Sequence, residues 1–150
     1  MTTRRLLLVA PAVALIASCG PPAPPVVDLT VKANADLNRN QAGTPLSVAL
    51  RLYTLNDRAR FETADAYGLM DRENAVLGDE RLGSEEIVVR PGETRKVTMT
   101  PKPGVRFLGV AVLFHDIDRA QWRAIAPIAA SGTTRLVLAV GSNTAELEAA

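Results

Sequence analysis

From residue 27 to residue 37 apolar and polar side chains alternate without a break. Val27, Leu29, Val31, Ala33, Ala35 and Leu37 fall on one side, and Asp28, Thr30, Lys32, Asn34 and Asp36 on the other. Strict alternation marks a strand with one face on a core and one in water. Asn38-Arg39-Asn40-Gln41-Ala42-Gly43-Thr44 has no apolar face and is rich in turn-favouring residues, so an exposed loop is expected there. Pro45 then opens a second strand, with Val48, Leu50 and Leu52 on one face and Ser47, Ala49, Arg51 and Tyr53 on the other.

Between residues 56 and 82 the period changes. Phe61, Ala64, Tyr67, Gly68 and Leu69 recur at spacings of three and four, which predicts helix, with Thr63 as its cap and Asp65 in its first turn. Asp71 to Leu77 fits another short helical turn. Strands resume at Ile87-Val88-Val89, turn at Pro91-Gly92-Glu93, and run from Thr94 to Thr100 with Val97 and Met99 inward, until Pro101 and Pro103 end them. Val105 to Phe114 is apolar on both faces, the mark of a central strand covered on both sides, and the helical region 61–77 is expected to pack over part of the outer one. A polar crossing from Asp116 to Ile125 carries Trp122. Strands at Arg135–Val140 and Ala145–Glu148 follow, joined by Gly141-Ser142-Asn143. The pattern predicts an all-β fold, an antiparallel two-sheet β-sandwich of about seven to eight strands with a short helical insertion.

The first residues follow another logic. Arg4-Arg5 precede a twelve-residue apolar run, Leu6 to Ala17, and Ile16-Ala17-Ser18 leads into Cys19, the single cysteine. A charged start, a short apolar middle and small residues before a cut form an export signal, and the run is too short for a span of ~20 residues. Ile16-Ala17-Ser18-Cys19 resembles the lipobox of bacterial lipoproteins. The resemblance implies that residues 1–18 are removed and that Cys19 carries diacylglycerol and an acylated amine. Gly20, rather than Asp, follows the cysteine, which by analogy with enterobacterial sorting implies the periplasmic face of the outer membrane. Several acyl chains on one residue hold stably, at about 0.8 kcal/mol per buried CH2. Residues 19–25 hold four prolines, a polyproline tether of roughly 15–20 Å at ~3.1 Å per residue. Residues 26–150 form the sandwich domain. Loss of Arg4 and Arg5 takes the 17 basic residues to 15 against 16 acidic, so net charge moves from +1 to about −1. No basic patch suggests nucleic acid. With Cys19 acylated, the domain has no disulfide and no thiol chemistry.

Candidate chemistry is sparse. His115, the single histidine, stands near Asp116 and Asp118, but the set lacks a second histidine or an oxygen-rich loop spacing, and no metal or other cofactor is expected beyond the lipid on Cys19. No nucleophile motif includes His115. Glu85-Glu86 and Asp79-Glu80 are adjacent pairs whose members point to opposite faces of a strand and into water. Trp122 and Arg123 suit packing and a surface ion pair. No enzyme is expected. A chain of this kind works through its surface, and the polar loop Asn38–Thr44, which packing does not explain, is the candidate. Another reading is a periplasmic sandwich that captures a small molecule or cell-wall fragment, which needs a concave pocket with convergent polar groups.

The pieces also resemble a family in their order along the chain: the lipobox; Leu37-Asn38 before a loop ending Gly43-Thr44-Pro45; Val48 to Leu55 with Arg51 and Tyr53; Phe61 to Tyr67; Leu77-Gly78-Asp79; Pro91-Gly92; and Phe107-Leu108-Gly109-Val110-Ala111 leading to Trp122-Arg123. They are similar to the outer-membrane lipoproteins of bacterial type VI secretion, the TssJ type. The resemblance implies a transthyretin-like sandwich and anchorage of an effector-delivery machine. It also implies binding of the periplasmic C-terminal region of a TssM-type inner-membrane protein, with the first interstrand loop, here Asn38, Arg39, Asn40, Gln41, Ala42, Gly43 and Thr44, contributing to the contact. The family often has Pro after the loop's Asn, where this chain has Arg39.

Overall fold

The computed structural model describes residues 19–150; the expected signal peptide lies outside the described residues. Eight strands form two four-stranded sheets. One sheet has the order β4-β1-β7-β8, with β1 at Pro25–Ala33, β4 at Thr94–Met99, β7 at Gly132–Val140 and β8 at Ala145–Ala149. The other has the order β3-β2-β5-β6, with β2 at Val48–Leu55, β3 at Arg81–Val89, β5 at Phe107–Val112 and β6 at Arg123–Pro127. All neighbours are antiparallel except β1 and β7, which run parallel from Pro25↔Gly132 to Ala33↔Val140. The sandwich is the expected one. The parallel pair is the departure from a purely antiparallel sheet, and it arises because the chain visits the other sheet between β1 and β7.

Alternation decides what goes inside. Val27, Leu29 and Val31 of β1 meet Leu50 and Leu52 of β2, Leu108 and Val110 of β5, and Leu136 and Leu138 of β7 between the sheets, all at most 2 % exposed. The opposite faces of β2 and β5 are apolar too. Tyr53, Leu55 and Ala111 there form a second buried cluster with Phe61, Leu69 and Leu77 of the helical insertion. The doubly apolar run 105–114 is thus explained as expected, with helices α1 (Ala59–Thr63), α2 (Ala66–Asp71) and α3 (Glu73–Leu77) over its outer face. Gly109 makes this fit possible: a Cβ there would stand 3.1 Å from the Phe61 ring and 3.1 Å from Leu55 Cδ1. Phe61 also tilts against Tyr53, their ring centroids 5.7 Å apart.

Several expected details differ. β1 ends at Ala33, not at residue 37. Leu37 is fully buried, but from a turn in which its N–H donates to the Asn34 carbonyl. Asp65, not Thr63, caps α2, its carboxylate accepting from the Gly68 N–H at 2.7 Å, while Thr63 closes α1. β3 starts at Arg81, six residues before the apolar triplet 87–89. The crossing from Asp116 to Ile125 runs into a strand, β6, paired with β5 from Ala111↔Arg123 to Phe107↔Pro127. Arg123 makes no ion pair among the described residues. Its guanidinium lies 4.3 Å over the Trp122 ring and donates to the carbonyls of Phe61 and Glu62 at the end of α1. Burial lowers its pKa.

The two ends of the sandwich are unlike. One end gathers Ala23 and Pro25, which meet Gly132, with Arg106 bonded to Ile128 and Leu55. The other gathers the β1–β2 connection, the turn at 90–93, the stretch 113–122 and the β7–β8 turn. β1 alone, nine residues at ~3.3 Å each, separates them by roughly 30 Å.

Candidate functional site

The loop Asn38–Thr44 stands at the end away from Pro25. Its tip closes on itself. Asn40 N–H donates to the Thr44 carbonyl at 3.0 Å, Gly43 N–H to the Asn40 carbonyl at 2.9 Å, and Thr44 N–H to Asn40 Oδ1 at 3.0 Å. Gly43 takes φ +79°, the left-handed region open to glycine. Arg39, Gln41, Ala42, Gly43 and Thr44 are exposed, while Asn40 is half-buried with its carboxamide committed to the turn.

Asn38 corrects the expectation of a wholly exposed loop. It is 5 % exposed at φ +47°, a conformation that asparagine tolerates better than most residues. Its Nδ2 donates to the Ser47 carbonyl at 3.0 Å, and its Oδ1 accepts from the His115 N–H at 2.7 Å. Its own N–H reaches the Gly141 carbonyl. One side chain therefore locks the loop to the start of β2 and to the exit from β5. Buried polar groups need such partners, and the amide shape supplies both a donor and an acceptor.

Through Asn38 the structure brings together two features that look separate in the sequence. The loop and the His115–Arg119 turn line one groove of about 500 Å³, with Arg39, Asn40 and Gln41 on one side and His115, Asp116, Asp118 and Arg119 on the other. Arg39 pairs with Asp36 at 3.8 Å and Arg119 with Asp116 at 3.9 Å, both on the exposed surface, where such pairs contribute little. Asp118 instead accepts from the Tyr67 hydroxyl, 3.2 Å from each carboxylate oxygen. The charge of Asp118 raises the Tyr67 pKa first, and the hydrogen bond to it adds to the shift. Tyr67 was expected on the packing face of the helix but is 51 % exposed. Its spacing in the sequence is that of a core residue, and nothing local separates it from Phe61.

No group of three or more His, Cys, Asp or Glu is gathered for a metal among the described residues. The larger groove, about 620 Å³ between α3 and β3, is lined by charged groups. Of these, Arg51 pairs with Glu86 at 2.9 Å, and Glu73 pairs with Arg81 of β3 at 3.4 Å. The bond to Glu86 raises the Arg51 pKa. Glu86 is therefore paired rather than simply solvated. Cys19 is exposed and unbridged, six residues before β1. No helix among the described residues is long and apolar enough to cross a membrane.

Residues 25–143 match the family model described as type VI secretion lipoprotein, VasD, EvfM, TssJ. The chain is similar to the T6SS lipoprotein TssJ1 from Pseudomonas aeruginosa, with 31 % identity and a TM-score of 0.80 over 87 % of this chain and 98 % of that one. A chain of a structure described as a type VI membrane complex matches with 28 % identity and a TM-score of 0.73 over 83 % and 97 %. A chain of a structure described as the T6SS protein TssM C-terminal domain from EAEC matches with 28 % identity and a TM-score of 0.71 over 81 % and 99 %. No curated protein sequence matches the chain.

Proposed function

The chain belongs to the type VI secretion lipoprotein family, and from that membership we propose that it is an outer-membrane-anchored scaffold that holds a TssM-type inner-membrane protein by its periplasmic C-terminal region. Acyl chains on Cys19 hold one end of the sandwich near the membrane, and the loop Asn38–Thr44 meets the partner at the other. The reading involves no catalytic step. The observation that carries it is the polarity of the domain: the tether enters beside Pro25 and Gly132, and the loop projects from the end roughly 30 Å away. The similarity to chains in structures described as a type VI membrane complex and as the TssM C-terminal domain supports the partner. Cys19, exposed and closing the Ile16-Ala17-Ser18-Cys19 sequence in a family of lipoproteins, supports the anchor.

The test has two arms. In cells, the wild-type protein fractionates with outer membranes and a Cys19→Ser chain does not; equal fractionation removes the lipid anchor. In solution, residues 19–150 bearing Cys19→Ser, which contain the whole described core, bind the periplasmic region of the TssM-type protein in a calorimetric titration. Arg39→Glu with Gln41→Glu alters exposed side chains and spares the Asn38 and Asn40 bonds. It weakens binding about tenfold or more, as loss of an interface anchor does, with an unchanged melting temperature. Unchanged affinity moves the contact off the loop, and no binding by a folded chain removes the partner.

A further inference from the structure

Only two large hydrophobic residues among the described ones are strongly exposed, Val88 on the outer strand β3 and Tyr67 on α2. Tyr67 does not hang free. Its hydroxyl is tied to both oxygens of Asp118, on the turn that shares a groove with Arg39 and Gln41. Asp118 differs from its acidic neighbours. Asp36 and Asp116 each have an arginine within 4.0 Å, and Asp118 has no cationic partner among the described residues. The result is an exposed aromatic face, fixed in direction, beside an unneutralised carboxylate.

We propose that Tyr67 and Asp118 form a receptor for a lysine or arginine of the same partner, so that the interface runs from the loop tip across the 115–119 turn onto the helical insertion. The inference rests on the functional reading above. A long basic side chain lays its stem along the ring and brings its charge to the carboxylate, combining cation–π attraction with a charge-assisted bond. The Tyr67–Asp118 bond holds the ring before the partner arrives, which reduces the ordering cost of binding. Tyrosine and arginine are also the side chains that most often dominate interface energetics.

The same titration decides it. Asp118→Asn, a substitution of equal size, is expected to weaken binding about tenfold, with a loss that shrinks in 0.5 M salt as screening takes over. Tyr67→Ala loses about as much and Tyr67→Phe less, since the ring remains. Asp118→Lys loses more than Asp118→Asn. Wild-type affinity in Asp118→Asn and Tyr67→Ala, beside a weakened Arg39→Glu/Gln41→Glu chain, overturns this inference and leaves the functional reading standing. Tighter binding by Asp118→Lys also overturns it, because the partner would then present an acid.

Discussion

Tyr53 shows how a single buried group sets a pH limit. It is 0 % exposed, and its hydroxyl has no hydrogen-bond partner among the described residues. Burial first, and then the negative charge of Glu73, push its pKa up to about 12 from 10.0. A pKa raised by folding means that the native state favours the protonated phenol. That contribution is fully present below pH 10 and is lost as pH rises through about 12. Two pH units correspond to roughly 2–3 kcal/mol. Thermal unfolding from pH 8 to pH 12 should therefore show an alkaline loss that Tyr53→Phe reduces. At pH 7 that variant should be at least as stable as wild type within ~0.5 kcal/mol, since no bond is removed. An equally steep alkaline limb in Tyr53→Phe would contradict this account.

At the scale of elements the decisive join is Asn38, which ties the β1–β2 connection to Ser47 and to His115 beyond β5. Asn38→Ala strands one carbonyl and one N–H and forces alanine to a positive φ, so urea unfolding should show a loss of about 2–3 kcal/mol. Asn38→Gly relieves the backbone but not the bonds, and should lose about 1–2 kcal/mol. Losses below ~0.5 kcal/mol in both would mean that water replaces the clamp. Composition and hydrophobic pattern do not distinguish Asn38 from Asn40, because an amide's commitment depends on what folds against it. The strands that alternate were legible, as in 27–33 and 48–52, and so was the doubly covered run 105–114. β6 was not, because Arg123–Pro127 is an edge strand of mixed burial defined by its pairing with β5 rather than by a face of its own. The first half of β3 was hidden for a related reason: Ser84, Glu85 and Glu86 are exposed on its outer edge. The end of β1 was overrun because Ala35 and Leu37 continue the alternation by chance while the chain has already turned.

The whole molecule is a bar with two ends. A parallel pairing of β1 with β7, which no local pattern reveals, sets Pro25 beside Gly132 and sends the first loop to the far end. The candidate loop was visible from its composition. Its surroundings were not, since residues 115–119 and Tyr67 join it only in three dimensions. We propose that this polarity is functional, with the membrane holding one end and the partner the other. Site-specific photocrosslinking in cells that carry the intact lipoprotein tests it most directly, with the probe at Gln41 on the loop or at Ser131 beside the tether, both exposed. A crosslink to the TssM-type protein is expected from position 41 and none from position 131. A crosslink from position 131 with none from position 41 would contradict it.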